Sequence, residues 1–223
     1  YIMSKSNKYG YSGVDIPTQA FGANVGKFDP DEINELVQED KWTTFGQLEL
    51  IETKEVSSAV AQIDFTSIQE DKYDVHFLTW NGIEIQSNNN YLGARLSNDG
   101  GSSYESGSNY KYAIQYVGTA GVQGSLKNNS DTAFEYFNWG DSGDTISGFL
   151  YFYSLGDNQK FSFMNMQSCI NIEASYGNGF AYYGPQLYAV RETINAIRLF
   201  NYNTNGNFAN KGTFSLYGIK EYS

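Results

Sequence analysis

From Phe45 onward the chain keeps a hydrophobic period of two, and this alternation limits its fold more than any other feature. "GQLELIET" puts Leu48 and Leu50 on one face, and "VAQIDFT" puts Ile63 beside Phe65. "YDVHFLTW" sets Tyr73, Val75, Phe77 and Thr79 against Asp74, His76, Leu78 and Trp80. "YLGARLSN", "YKYAIQYV", "TAFEYFNW", "GFLYFYSL", "KFSFMNMQ", "INAIRLF" and "GTFSLYGIK" continue it. Between them lie turn signals: Trp80-Asn81-Gly82, Asn98 to Gly101, Asp141 to Asp144, Gly156 to Asn158 and Asn203 to Gly206. Many short strands with no intervening helices predict an all-β chain. Over this length they predict a jelly-roll-like antiparallel β-sandwich spanning 45–223.

Residues 1–44 follow a different pattern. The first 28 are irregular, with isolated large side chains (Val14, Ile16, Phe21, Val25, Phe28) among Gly, Asn and Pro. This reads as an extended segment with pocket-filling anchors or as a tail. A helix is expected over about 30–41. Asp29 stands at the cap, Pro30 at the first helical position and Glu32 three residues after the cap. Ile33, Leu36 and Val37 form one narrow apolar stripe that needs a surface to dock on.

Composition removes several function classes. Fourteen Lys and Arg stand against 25 Asp and Glu, a formal charge of -11, which argues against a phosphate-tracking surface and nucleic-acid partners. Phe, Tyr and Trp make up 17% of the chain, the reverse of a disordered composition. One cysteine, Cys169, allows no internal disulfide framework, and one histidine, His76, allows no multi-histidine metal centre. No window is apolar enough for a membrane span and no signal peptide is apparent, so synthesis in a cytoplasm is expected.

The search for chemistry yields little catalysis. His76 sits mid-strand with no nucleophile elbow in the chain, and reads as a half-exposed strand histidine. Cys169 in "MQSCINI" reads as a small buried apolar residue. The carboxylates fall in the helix and in turns, where a solvated face and turn formation explain them better than a glycosidase pair. The chain is therefore expected not to be an enzyme and to need no cofactor. "SNDGG" and "DSGD" are oxygen-rich, and make Asp99, Asp141 and Asp144 weak candidates for Ca2+ against the simpler reading of hairpin turns.

Aromatic residues near loops are the stronger signal. "NWGDSGD" carries Trp139, and "YGNGFAYYGPQLY" carries Tyr176, Phe180, Tyr182 and Tyr183 in what reads as a protruding loop. Rings so placed suit stacking on sugar faces, but a subunit interface, where Tyr and Phe are enriched, accounts for them better.

"VDIPTQAFGANVGKFDPDEINELVQEDKW" followed by "GQLELIET" resembles virion proteins of tailed marine bacteriophages, including those that infect cyanobacteria. "YDVHFLTWN", "ARLSNDGGSSY", "SGFLYFYSL", "ETINAIRLF" and "GTFSLYGIKEYS" extend the resemblance across nearly the whole chain. It implies a structural place on a virion made in the host cytoplasm, tail-fibre-like or as a capsid decoration protein, with other virion proteins as partners. On that view Val14, Ile16, Phe21, Phe28, Ile33, Leu36 and Val37 attach residues 1–44 to the particle, and residues 45–223 face outward toward host polysaccharide. A homo-oligomer, with a trimer favoured, would hide sheet edges. A secreted carbohydrate-binding domain is the rival from another class.

Overall fold

The computed structural model describes residues 30–38, 47–172, 178–203 and 206–220. The chain separates into two units, Tyr1–Gly46 and Gln47–Ser223. In the first, α1 spans Pro30–Gln38, with Ile33 and Leu36 half-buried one turn apart. The anchors Val14, Ile16, Phe21 and Phe28, the cap Asp29 and the side chain of Val37 lie outside the described residues. Among those residues no helix is long and apolar enough to cross a membrane.

The second unit is an all-β sandwich. Its strands are β1 (Leu48–Glu55), β2 (Gln62–Phe65), β3 (Val75–Glu84), β4 (Leu92–Ser97), β5 (Tyr110–Gly118) and β6 (Gln123–Asp131). They continue with β7 (Thr145–Tyr153), β8 (Ser162–Asn171), β9 (Gly179–Tyr188), β10 (Ala196–Asn201) and β11 (Thr213–Ile219). One sheet has the order β1-β11-β3-β7-β8-β9-β5-β6 and the other β2-β10-β4. Every pairing between these strands is antiparallel.

The interleaving is that of a jelly roll. The first strand pairs with the last, the last with β3, and β3 with β7, while β2, β10 and β4 form the facing sheet. The eighth position is filled by the run 133–140. Phe134 exchanges both backbone hydrogen bonds with Ala94, the Phe137 amide donates to the Leu92 carbonyl, and Gly140 bridges Asn90. "TAFEYFNW", expected as a strand, is thus only a bridged segment. Tyr136 takes a φ of 56°, which breaks the extended ladder. Two hairpin-like additions, β5-β6 and β8-β9, meet each other and widen the first sheet beyond β7.

Alternation places the core between the sheets. His76, Leu78 and Trp80 of β3, Leu150 and Phe152 of β7, and Phe214 and Leu216 of β11 face Phe65, Ala94, Leu96, Ile197 and Leu199 of the smaller sheet, and all of them are buried. Tyr110 stitches β5 to the smaller sheet. Its hydroxyl accepts from the Leu96 amide at 3.0 Å and donates to the Glu105 carbonyl at 3.1 Å. The free edge β1 is fastened through Glu49, which accepts from the Tyr73 hydroxyl and from Lys72 Nζ at 2.8 Å. Those bonds hold its carboxyl down at about 2.

Four local expectations are corrected. His76 is fully buried rather than half-exposed, its Nε2 is 2.8 Å from the Ile68 carbonyl, and desolvation lowers its pKa. Cys169 is exposed, because β8 buries its even-numbered positions and turns the odd ones outward. Asn81-Gly82 is no hairpin turn. Gly82, at φ 63°, forms a bulge inside β3, where the β7 register slips between Trp80 and Ile83. The segment holding Phe180, Tyr182 and Tyr183 is strand β9, paired on both sides, rather than a protruding loop.

Candidate functional site

A surface cleft of about 290 Å³ opens where the 139–144 turn meets β5, the β8 end and β9. Its lining brings together two segments some forty residues apart, Trp139, Asp141 and Asp144 from one and Phe180 and Tyr182 from the other. The sequence reading missed Asn89 and Tyr116, which also line it. Neither stands in a motif; both arrive through topology.

The aromatic wall forms because β5 and β9 are neighbours with Tyr116 opposite Tyr182. Those rings lie 5.7 Å apart at 30°, and Phe180 closes the group at 6.5 Å from Tyr116 and 6.4 Å from Tyr182. Tyr182 is buried to 3% exposure, so it backs the wall, and desolvation raises its phenol pKa. Trp139 is different, with 49% of its surface exposed despite being the largest side-chain type. Its indole Nε1 donates to Asn89 Oδ1 at 3.0 Å, and Tyr91 meets its ring edge-on at 6.1 Å. The ring is therefore fixed at the rim and open to solvent.

The polar side of the cleft is a tightly bonded double turn. Asn89, at φ 56°, donates its amide to Asp141 Oδ1 at 2.7 Å, and the Ser142 amide donates to Asn88 Oδ1 at 3.0 Å. The Asp141 amide donates to Asp144 Oδ2 at 2.9 Å. Asn203 Nδ2 donates to the Asn89 carbonyl at 2.8 Å, which ties a third loop to this corner. Such cross-bracing holds the Trp139 ring and the carboxylate oxygens in a fixed relation before any ligand arrives.

The other sequence candidates fall elsewhere. Tyr183 alternates to the opposite face of β9 from Tyr182, where its hydroxyl donates to Gln115 Oε1 at 3.1 Å. Asp99 accepts from Ser97, and from both the amide and the hydroxyl of Ser103, within its own loop; these bonds hold its carboxyl at about 2. Tyr176 lies outside the described residues. Among the described residues no three His, Cys, Asp or Glu side chains converge as a metal site, and Asp141 and Asp144 act as turn acceptors.

A solvent-facing indole, an aromatic wall and a rim of amide and carboxylate acceptors suit a flat ligand with apolar faces and hydroxylated edges, the chemistry of a pyranose ring. Comparison of the chain with protein-family models, curated proteins and solved structures gave no match.

Proposed function

We propose that this chain is a non-enzymatic structural component of a tailed-phage virion, a fibre-like or tail-associated surface module that contacts host glycans through the Trp139 cleft. The observation that carries the glycan contact is the exposed, hydrogen-bond-anchored Trp139 ring above the Tyr116–Phe180–Tyr182 wall. The virion role is supported by the resemblance of the quoted segments and by a jelly-roll scaffold.

Titration with purified host surface polysaccharide tests the cleft, with isothermal titration calorimetry as the readout. Trp139→Ala is expected to weaken binding by roughly 10-fold or more, the size of a lost aromatic anchor, while leaving the melting temperature within about 2 °C because the side chain is half exposed. Equal binding by the variant removes the cleft from the proposal. Antibody labelling of intact particles under negative stain tests the virion role. Label on the tail supports the appendage reading, label over the head makes the chain a capsid decoration protein, and unlabelled particles overturn both. Residues 1–28 are assigned to attachment, so their deletion is expected to leave a chain that folds but no longer co-purifies with particles. Loss of folding instead rejects that assignment.

A further inference from the structure

The outer face of the eight-stranded sheet carries an aromatic field that the cleft does not use. Across six strands the pairing aligns Leu48, Ile219, Val75, Tyr153, Phe163 and Leu187 in one row. The next row runs from Leu50 through Tyr217, Phe77 and Tyr151 to Asn165 and Pro185. A third holds Phe149 and Tyr183 among Thr53, Ser215, Thr79 and Gln167. Phe77 lies 4.7 Å from Tyr151 and 5.8 Å from Phe149 between ring centroids, and Tyr153 stacks on Phe163 at 4.8 Å and 17°. Leu50 is 60% exposed and Phe163 43%. Asn165, Thr53, Ser215, Thr79 and Gln167 interrupt the rows without charging them, and the apolar remainder is of the size of the largest patch that a monomer exposes, which is often functional.

Charge decides what covers it. No position in the three rows is charged, although the chain carries 25 acids and a net charge of -11. Two copies that approach through most other surfaces bring carboxylates together; through this face they bring rings together. Six strands at about 4.8 Å and three same-face rows at about 6.8 Å give roughly 600 Å² a side, or about 1,200 Å² in total, the lower bound of a specific interface. A face that meets its own copy about a two-fold axis needs no second complementary surface.

We propose that this face is a homodimer interface, in which a second copy of the chain packs sheet on sheet about 10 Å away. The contact is independent of the glycan reading, and its test reads mass rather than ligand. Sedimentation equilibrium of the full chain is expected to show a concentration-dependent dimer. Phe149→Glu and Phe163→Glu, both at exposed positions, are expected to weaken the dimer by on the order of 100-fold with an unchanged circular-dichroism spectrum and melting transition. Phe163→Leu, which keeps the face apolar, is expected to retain the dimer. A chain that stays monomeric up to about 100 µM, a trimer, or a dimer that both glutamates leave intact overturns the proposal.

Discussion

Replacing Trp80 with alanine is expected to destabilise the sandwich by about 3–5 kcal/mol, whereas Trp80→Phe is expected to cost less than about 1.5 kcal/mol. Trp80 is 1% exposed and is among the largest of the fully buried side chains. Its ring stacks on Phe137 at 5.7 Å and 23°, so it joins β3 of the wide sheet to the bridged run 133–140 that completes the facing one. Alanine leaves a cavity that two sheets pinned by their own ladders cannot close. Phenylalanine keeps the stack, and it also removes a buried indole Nε1–H that has no hydrogen-bond partner among the described residues. Denaturant unfolding of both variants checks the pair. Equal losses would mean that the indole N–H, rather than the ring, matters here, and an alanine cost below about 1 kcal/mol would mean that the 133–140 run is not held by this stack.

The sandwich was legible because its strands bury one face each, which writes the alternation directly into β3, β7, β8 and β11. Elements were lost where one face is not simply buried. β6, "QGSLKNNSD", is a polar edge strand that gives no apolar signal, so it was not anticipated. β9 looks like a loop in sequence because Gly and Pro dilute its pattern, yet Gly184 is required there: a Cβ would lie 2.2 Å from the Ala113 carbonyl oxygen. The aromatic candidates of the cleft were legible by residue type, and so were Asp141 and Asp144. What sequence could not supply was the pairing of β5 with β9, which brings Tyr116 to Tyr182 and turns Tyr183 away. The outer aromatic field was equally hidden, since its rows exist only once six strands are in register. The wide sheet thus presents two kinds of aromatic surface. The cleft has acceptors at its rim and suits a hydroxylated ligand; the three aromatic rows of the outer face have none of that charge and suit another apolar sheet.

Raising the pH from about 5 to 8 is expected to destabilise the protein through Glu135 by about 2–3 kcal/mol, and Glu135→Gln is expected to abolish that loss. Glu135 is 4% exposed, and desolvation, together with the nearby Asp131 carboxylate, pushes its pKa up to about 7. Asp131 spends its oxygens on the Thr132 amide, Asn128 Nδ2 and the Tyr202 hydroxyl. Tyr112, Tyr136 and Tyr202 surround the pair with phenols whose own pKa values are raised, so they stay neutral over this range. Arg95 turns its Nε to the Thr132 carbonyl at 3.1 Å instead of to either acid. In the unfolded chain Glu135 ionises near 4.5, whereas the folded chain holds the proton to about 7. Between those values the folded state binds more protons, so stability falls as pH rises and levels off above the folded pKa. His76 acts in the opposite sense: burial keeps it neutral, so the unfolded state gains a proton below about 6.5 and stability falls on acidification there. The difference between wild type and Glu135→Gln cancels the histidine, because both proteins keep it. Glutamine retains a donor toward Asp131 and cannot ionise, so the variant is expected to be the more stable protein at pH 8 and to lose its advantage at pH 5. Urea unfolding of both proteins at the two pH values measures this directly. Parallel pH profiles would show that Glu135 ionises normally in the fold.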